Sequence, residues 1–242
     1  MTKQKIIKCF NSGAKTYDVA ADIQVHAAKE LSRYLDLPAK NIVEIGCGTG
    51  LFSQELIRKF PGQNILLMDI APEMIKVTRE KFSSYPNVTF ACRDGESASL
   101  AVKSGQPDLI VSNMTLHWFT DLYQGIKNII DQLASGGQFI FALLGENTLK
   151  EWRKLYPAPT LVFPKHELLR NYFPEMKIHV ESQLQSYSNA RAFLKTLKNI
   201  GGTATHFSNQ ALTSGNLRSI LRDADSSFDV TYEVIYGQYK KP

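Results

Sequence analysis

The stretch Asn41–Phe52, NIVEIGCGTGLF, decides the fold of this 242-residue chain. An apolar run that carries one carboxylate, Glu44, leads into three glycines at alternate positions, Gly46, Gly48 and Gly50. This pattern predicts a strand, a glycine turn and a helix, which together place backbone N–H groups and the positive end of the helix over the carboxyl edge of the strand. Glycine suits the turn because a Cβ atom would block the approach of a ligand. The GxGxG spacing differs from the GxGxxG spacing of dinucleotide-binding proteins.

Apolar runs and helical periodicity alternate along the middle of the chain. Strands are expected near 41–45, 64–69, 88–91, 107–112 and 137–143, and helices near 51–60, 72–82 and 121–134. This alternation predicts an α/β fold with a doubly wound, Rossmann-like, mostly parallel sheet that binds ligands at the carboxyl ends of its strands.

The two flanks of the chain have different patterns. Apolar residues recur at three- and four-residue spacing between Tyr17 and Leu35, which predicts a helical N-terminal segment. After the middle part, a helix is expected beyond Asn147, a strand near 176–186, helices near 189–199 and 213–223, and a last, antiparallel strand, FDVTYEVIYGQY.

Composition limits the class of protein. The hydrophobic fraction of 43% is enough for a single domain with a full core. The longest apolar runs are too short to cross a membrane, and the basic N-terminus lacks the apolar core of a signal peptide, so we expect a cytoplasmic protein. The three cysteines, Cys9, Cys47 and Cys92, show neither CxxC nor CxH spacing, so we expect neither a disulfide nor a metal site.

Charge is distributed unevenly along the chain. Residues 41–145 carry a net charge of −2, whereas the flanks 1–40 and 146–242 together carry +7. Basic flanks attract acidic partners. No interleaving of basic and aromatic residues is present in the sequence, so we do not expect the chain to bind nucleic acid.

Three acidic residues give the chain a resemblance to a large enzyme superfamily. The ExGxGxG spacing that begins at Glu44 resembles motif I of the S-adenosylmethionine-dependent methyltransferases. Asp69 ends the second predicted strand, where that superfamily has an acid that accepts hydrogen bonds from both ribose hydroxyls of the cofactor. Asp94 follows the third strand, where the superfamily has an acid that faces the adenine amino group.

A narrower resemblance covers nearly the whole chain. It is similar to the malonyl-acyl-carrier-protein O-methyltransferases of biotin synthesis, the BioC type, in CFNSGAKTYDVAADIQ, DLIVSNMTLHWFTDL, FALLGENTLKEWR, ARAFLKTLKNIGGTA and TYEVIYGQYKK. The more particular matches are Phe10, Tyr17, Asp18, Ala20, Gln24, Leu197, Lys198 and Gly201.

The resemblance implies a reaction and a division of the chain. The cofactor would be S-adenosyl-L-methionine, the product S-adenosyl-L-homocysteine, and the acceptor the free carboxylate of a malonyl group on acyl carrier protein, whose methyl ester starts pimeloyl synthesis. A carboxylate with a pKa of about 4 is already ionised at neutral pH, so no general base is needed, and water exclusion by a lid should favour the transfer. We expect one methyltransferase domain, 1–242, in which 1–38 is a helical lid segment, 41–145 the cofactor-binding core and 187–224 a helical insertion that completes the lid.

The resemblance also implies site residues. Those expected to bind the cofactor are Gln24, Glu44, Gly46, Cys47, Gly48, Gly50, Asp69, Ile70, Met74, Asp94, Gly95 and Asn113. Those expected at the methyl-transfer site are Tyr17, Trp118, Arg153 and Lys198. Arg153, Lys198 and Tyr17 are candidates to hold the substrate carboxylate, and Trp118 to wall the pocket. We expect Cys47 to fill space rather than to act as a nucleophile.

Two alternatives remain open. His117–Trp118 stands where the BioC type commonly has Gln-Trp, and it is similar to a related assembly-factor branch linked to respiratory complex I, which binds the same cofactor. The chain could therefore be such a cofactor-binding assembly factor, or a methyltransferase for a small free acid of the aconitate type. A carboxylate acceptor gives His117 no proton to remove, so we expect it to pack or to form a hydrogen bond. We expect a monomer that does not bind membranes.

Overall fold

Seven β-strands form one sheet at the centre of the structure, a computed structural model that describes residues 2–35, 38–102, 105–155, 162–202 and 227–242. The strands are β1 (Asn41–Ile45), β2 (Asn64–Asp69), β3 (Val88–Cys92), β4 (Leu109–Asn113), β5 (Gln138–Leu144), β6 (Lys177–Tyr187) and β7 (Phe228–Lys240). The helices are α1 (Lys3–Gly13), α2 (Asp22–Ser32), α3 (Ser53–Lys59), α4 (Pro72–Phe82), α5 (Leu122–Gln132), α6 (Lys150–Leu155), α7 (His166–Tyr172) and α8 (Ala190–Asn199), with a 3₁₀ turn at Leu116–Trp118.

The strand order in the sheet is β3-β2-β1-β4-β5-β7-β6. The first five strands of this order pair in parallel, and β7 pairs antiparallel with both β5 and β6. The predicted doubly wound sheet with an antiparallel last strand is therefore confirmed. The chain leaves β1 towards β2 and later returns to the other side of β1 as β4, so a crevice opens between the carboxyl ends of β1 and β4.

Helices cover both faces of the sheet because its central strands are apolar on both sides. All five residues of β4 are buried, as are four of the five in β1. On one face, the core includes apolar side chains of α2, α3, α4, α6 and α8, with Trp152 and Phe193 among the largest. On the other face, α5 and α7 contribute Ile126, Ile129 and Leu169. No helix among the described residues combines the length and apolar character needed to cross a membrane.

Side-chain caps fix the start of two helices that border the site. The Asp121 carboxylate accepts a hydrogen bond from the backbone N–H of Gln124 at 3.1 Å and begins α5. The Asn189 side chain accepts from the backbone N–H of Ala192 at 2.9 Å and begins α8. Each cap satisfies a backbone donor that a helix start otherwise leaves without a partner.

The N-terminal helical pattern is where the structure departs most from the sequence prediction. The pattern between Tyr17 and Leu35 continues past both ends of α2, and residues 14–21 form turns instead of helix. Within these turns the Asp18 carboxylate accepts hydrogen bonds from the Thr49 hydroxyl and from the Lys81 ammonium. These tertiary bonds draw the turn onto the glycine loop and outweigh local helix preference.

The secondary structure of the C-terminal flank, residues 146–242, agrees only in part with the prediction. α7 was not predicted, whereas β6, α8 and β7 lie close to their predicted positions. α8 forms the described portion of the predicted insertion 187–224. The remainder of that insertion and the helix predicted near 213–223 lie outside the described residues, so the division into core and lid stays a prediction.

Candidate functional site

The glycine turn after β1 packs closely against its neighbours on one side and is open on the other. Gly46 has a φ of +73°, and a Cβ atom there would lie 2.1 Å from the Thr115 hydroxyl oxygen. Gly48 has a φ of +55°, and a Cβ atom there would meet no atom within 4 Å. Glycine is therefore required by close packing at the first position and by backbone conformation at the second.

The backbone N–H groups of Gly46, Cys47 and Gly48 in this turn already have partners inside the protein. Those of Gly46 and Cys47 donate to the carbonyl oxygen of Met68 at 2.8 and 2.9 Å, and that of Gly48 donates to the Asp69 carboxylate at 3.0 Å. A phosphate-binding loop needs such donors free to hold its anion. This turn therefore fits a ligand that lies against it without a phosphate group.

Asp69 lies at the end of β2 and faces the turn. Its Oδ2 accepts from the Gly48 N–H and its Oδ1 accepts from the Ala71 N–H at 2.8 Å. Burial raises the pKa of this carboxyl to about 6, so it is ionised at neutral pH. Because a carboxylate has about four acceptor sites, the lone pairs that remain can accept from two ribose hydroxyls.

Glu44 forms a buried layer beneath the turn. Its carboxyl is almost fully buried and accepts a hydrogen bond from the Ser53 hydroxyl at 2.6 Å. Burial raises the pKa of Glu44 to about 8, so this group is protonated at neutral pH. Burial also raises the pKa of the Cys47 thiol, together with the nearby carboxyls of Asp69 and Glu44, and the sulfur stays protonated. This agrees with a filling role for Cys47.

Asp94 follows β3 and forms an ion pair that was not predicted. The ammonium of Lys3, from α1, contacts the carboxylates of Asp94 and Glu96, the latter at 2.6 Å. Glu96 also accepts hydrogen bonds from the backbone N–H groups of Thr120 and Asp121 at 3.0 and 2.8 Å. The start of α1 is thus held over one end of the site.

A cavity brings most of the predicted cofactor residues together. It encloses about 870 Å³, including its open mouth. The predicted residues that line this main cavity are Gln24, Glu44, Gly46, Cys47, Gly48, Asp69, Ile70, Met74, Asp94, Gly95 and Asn113. Gly50 does not line it, and a Cβ atom there would lie 2.5 Å from the Phe82 ring, so this glycine allows the loop to pack on α4.

One buried polar atom tests whether the cavity suits the expected cofactor. The Asn113 amide donates to the Gln24 carbonyl oxygen at 3.1 Å, whereas its Oδ1 is buried and has no partner among the described residues. A buried acceptor without a partner is costly unless a ligand donates to it. S-adenosylmethionine carries an ammonium group and two ribose hydroxyls that can donate, so Asn113, Asp69 and the open side of Gly48 fit it.

Two further spaces border Trp118. This ring lines both of them as well as the main cavity. We call the first of these the inner chamber; it is lined by Phe10, Tyr17, Gln24, Met114, His117, Trp118, Leu144, Leu149, Phe163, Leu197, Ile200, Gly202 and Tyr232. We call the second the outer groove; it is lined by Ile6, His117, Trp118, Phe119, Thr120, Asp121, Leu122, Tyr123, Glu146, Arg153, Val162, Phe163, Pro164, Lys165 and Leu168.

Aromatic contacts hold Trp118 in place at this junction. The Phe10 ring, from α1, packs edge-on against Trp118 with 5.2 Å between ring centroids. Tyr17 lines both the main cavity and the inner chamber. Burial and the carboxylates of Asp69 and Asp18 raise the pKa of Tyr17, so its phenol stays neutral and can donate a hydrogen bond.

His117 is held as a neutral imidazole that lines both the inner chamber and the outer groove. Its Nδ1 accepts a hydrogen bond from the Leu144 backbone N–H at 3.5 Å, which leaves the ring proton on Nε2. Burial lowers the pKa of His117 to about 3, so the ring does not take up a proton at neutral pH. The predicted packing and hydrogen-bonding role agrees with this geometry.

The structure separates the two predicted cations. Arg153 lies in the outer groove, where its guanidinium donates to the Glu146 carbonyl oxygen, and its Nε has no partner among the described residues. Lys198 is exposed on the last turn of α8 and lines neither the inner chamber nor the outer groove. The structure therefore brings Arg153, but not Lys198, to the site.

Sequence reasoning missed several residues that line the main cavity, chiefly Lys3, Thr115 and Glu96. Lys3 and Glu96 meet only because α1 crosses the carboxyl end of the sheet. A local sequence pattern cannot predict a contact between residues more than ninety positions apart. Among the described residues, no group of three or more His, Cys, Asp or Glu side chains could hold a metal ion.

Comparisons with known proteins identify the family. Residues 42–137 match the model of a methyltransferase domain family. The chain is 32% identical over 247 residues to malonyl-[acyl-carrier protein] O-methyltransferase 1 of Ilyobacter polytropus, with 97% of this chain and 88% of that protein covered. It is 35% identical to the biotin biosynthesis bifunctional protein BioCD of Bordetella avium, of which it spans only about half, 53%, while 99% of this chain is covered.

A solved structure shares the fold. The N-methyltransferase NodS from Bradyrhizobium japonicum, solved in complex with S-adenosyl-L-homocysteine, superposes with a TM-score of 0.54 at 15% identity, covering 92% of this chain and 88% of that one. Identity this low supports the fold alone, whereas the relatives above are similar over nearly the full chain. With a cavity whose buried acceptors suit S-adenosylmethionine, the chain belongs to the malonyl-[acyl-carrier protein] O-methyltransferases, a family of S-adenosylmethionine-dependent methyltransferases.

Proposed function

We propose that the protein methylates the free carboxylate of a malonyl thioester carried by acyl carrier protein, the methyl ester being the starting unit of pimeloyl synthesis for biotin. The names of its relatives support this substrate. The observation that carries the proposal is the chemistry of the acceptor side. The inner chamber contains no carboxylate among its described lining residues, and its one histidine, His117, is a neutral ring that does not act as a base.

An acceptor that must lose a proton would find no base in this chamber. S-adenosylmethionine, when bound, supplies an electrophilic methyl group on a positively charged sulfur. A malonyl carboxylate is ionised at neutral pH and needs no deprotonation before it attacks. The apolar walls that Phe10 and Trp118 provide exclude water, which favours a reaction in which opposite charges are neutralised.

Arg153 is the residue we assign to the malonyl carboxylate. It lines the outer groove, which shares His117, Trp118 and Phe163 with the inner chamber, so it can reach a carboxylate at the boundary between the two spaces. Its guanidinium has donors to spare after its bond to Glu146. A guanidinium gives directional hydrogen bonds. When these go to one carboxylate oxygen, the other oxygen is free to attack. The neutral Tyr17 phenol, on the boundary between cavity and chamber, would donate a second hydrogen bond to the acceptor.

The thioester and the arm that carries it would occupy the inner chamber. Its lining is largely apolar, and Leu197, Ile200 and Gly202 form the part contributed by the end of α8 and the residues that follow it. We expect the enzyme to work as a monomer in the cytoplasm, and its three cysteines are all free thiols, as a reducing compartment requires.

Methyl transfer to defined acceptors tests this function. The protein is incubated with methyl-labelled S-adenosylmethionine and, in parallel, malonyl carrier protein, malonyl-pantetheine and free dicarboxylic or tricarboxylic acids. We expect label in the malonyl thioesters, as a methyl ester that alkali releases as methanol. Methylation of a free acid with none of the thioesters would replace this function with the small-acid alternative. Cofactor binding without methylation of any acceptor would favour the assembly factor.

A further inference from the structure

α8 presents a row of cations to solvent. Arg191, Lys195 and Lys198 are exposed, and their spacing of four and three residues places them on one face of the helix. No acidic residue occurs between Ala190 and Asn199. We call these three side chains the α8 cationic face.

Within the described residues, the cations of this face lack the ion-pair partners that other helices provide. None of the three forms an ion pair with another residue in the described part of the chain. Elsewhere, Arg33 pairs with Glu30 in α2, and Lys127 pairs with Asp131 in α5, each at 2.6 Å. Like charges three and four residues apart disfavour a helix slightly. The α8 cationic face therefore costs helix stability, and a role in binding would account for it.

The opposite side of α8 reaches the acceptor site. Phe193 and Leu197 are buried in the core, and Leu197 also lines the inner chamber together with Ile200 and Gly202, just beyond the helix. One helix diameter, about 10 Å, thus separates the α8 cationic face from the chamber wall.

We propose that the α8 cationic face is the docking surface for the acidic carrier domain that delivers the acyl group, and that its arm enters the inner chamber past Ile200 and Gly202. This inference rests on the proposed function, because it names the surface that the carrier of that substrate uses. A protein with clustered carboxylates complements a row of cations that have no ion-pair partner among the described residues. Such complementarity speeds encounter and orients the complex.

The mouth of the outer groove is the competing surface, and its charge is less favourable. Its exposed Lys165 already has a carboxylate partner, Glu146, at 3.4 Å, and Asp121 adds a further negative charge to the lining. The exposed apolar side chain of Leu168 also lines it. An acidic carrier is therefore expected to dock at α8 and not at the mouth of the outer groove.

Charge reversal in α8 tests the proposal. The variant Arg191→Glu/Lys195→Glu leaves Lys198, a residue that the sequence resemblance links to catalysis, unchanged. The matched control, Lys29→Glu/Lys76→Glu, makes the same charge change at exposed lysines of α2 and α4. A third variant, Lys165→Glu/Leu168→Glu, alters the groove mouth. Melting temperature and affinity for S-adenosylhomocysteine are measured first, to show that each variant is folded.

The α8 variant should raise the KM for malonyl carrier protein by roughly tenfold and leave that for malonyl-pantetheine unchanged. The matched control, Lys29→Glu/Lys76→Glu, should affect neither substrate. The groove variant should leave the affinity for the carrier protein unchanged. Fluorescence anisotropy with labelled malonyl carrier protein gives a Kd that does not depend on turnover. The same roughly tenfold loss is expected there, and it should shrink as salt screens the attraction.

The outcomes separate the two proposals. If no acceptor is methylated but the carrier still binds through α8, the proposed reaction fails and the docking surface stands. Equal carrier Kd values for the α8 variant and the control, or no binding by the native protein, would overturn the docking surface. Loss of carrier binding in the groove variant alone would move docking to that mouth and overturn the assignment to α8.

Discussion

The carboxylate of Asp69 accepts a hydrogen bond from the backbone N–H of Gly48, with 3.0 Å between Oδ2 and the nitrogen. This bond joins the glycine turn after β1 to the end of β2. It also orients the carboxylate so that its free lone pairs face the main cavity, which both residues line. The turn and the acid thus form one unit, and the loss of either should affect the same ligand.

Asp69→Ala should weaken binding of S-adenosylhomocysteine by about 1 to 3 kcal/mol, the usual cost of losing a charged hydrogen-bond partner. Titration calorimetry measures this directly. Asp69→Asn serves as the matched variant of similar shape, since it keeps one acceptor oxygen and should lose less. An unchanged dissociation constant in the alanine variant would contradict the ribose assignment.

Affinity for S-adenosylhomocysteine should also depend on pH. Burial raises the pKa of Asp69 to about 6, so the carboxylate that accepts from the ribose is present above that pH and is lost as pH falls through it. Below pH 6 the dissociation constant should therefore rise, by at most about tenfold per pH unit. The Asp69→Asn protein should show a flat profile over the same range. A native profile without this rise would show that Asp69 is not the group that holds the ribose.

How far the site could be predicted depended on where its residues lie along the chain. Glu44, Gly46 and Asp69 follow from the sequence because each ends a strand or begins a turn, and parallel strands bring their carboxyl ends to one edge. Lys3 could not be predicted, since its contacts with Asp94 and Glu96 are set by how α1 crosses the sheet.

Lys198 shows why a resemblance over a whole segment does not place each of its residues at the site. It shares a segment with Leu197, and the two are adjacent in sequence, yet consecutive positions on a helix point about 100° apart. Leu197 faces the chamber and Lys198 faces solvent. The turn at residues 14–21 also could not be predicted from local periodicity. Asp18 accepts hydrogen bonds from Thr49 and Lys81, which lie far away in the sequence, and a helical pattern carries no information about such contacts.

Lys3→Met should speed release of S-adenosylhomocysteine. The Lys3 ammonium holds the start of α1 to Asp94 and Glu96 at the rim of the main cavity, and its loss frees the helix to move away. Ion pairs at the protein surface contribute modestly even when they are half-buried, so we expect a rise of about two- to fivefold in the off-rate. Stopped-flow fluorescence of Trp118, which lines the cavity, reports it. Lys8→Met is the control, because Lys8 is exposed on the same helix. An identical off-rate in the two variants would show that the Lys3 ion pairs do not hold α1 over the cavity.

Glu44→Gln should change how stability depends on pH. Burial raises the pKa of Glu44 from its usual 4.5 to about 8, so between these values the folded protein holds a proton that the unfolded chain releases. The free energy of unfolding should therefore fall as pH rises through this window, by up to about 1.4 kcal/mol per pH unit. The glutamine variant lacks this contribution, and other titrating groups are common to both proteins. Urea unfolding at pH 5 to 8 gives the difference, and parallel curves would mean that Glu44 is ionised in the fold.

Arg153→Met and Lys198→Met should differ sharply with malonyl-pantetheine as the acceptor. Arg153 lies in the outer groove beside Trp118, and methionine keeps much of its apolar stem while removing the charge that holds the carboxylate. We expect the KM of the Arg153 variant to rise by roughly ten- to a hundredfold, from the loss of a charged hydrogen bond. Its affinity for S-adenosylhomocysteine should not change.

Lys198 lies on the exposed face of α8, so its methionine variant should treat malonyl-pantetheine as the native protein does. Initial rates over a range of acceptor concentrations separate KM from kcat for both proteins, and melting temperatures show whether losing the bond to Glu146 has loosened α6. If only the Lys198 variant loses acceptor affinity, the carboxylate is held from α8, through a movement that brings this side chain into the inner chamber. If neither variant loses acceptor affinity, neither Arg153 nor Lys198 holds the carboxylate. The neutral Tyr17 phenol is then the remaining candidate, and Tyr17→Phe tests it by the same measurement.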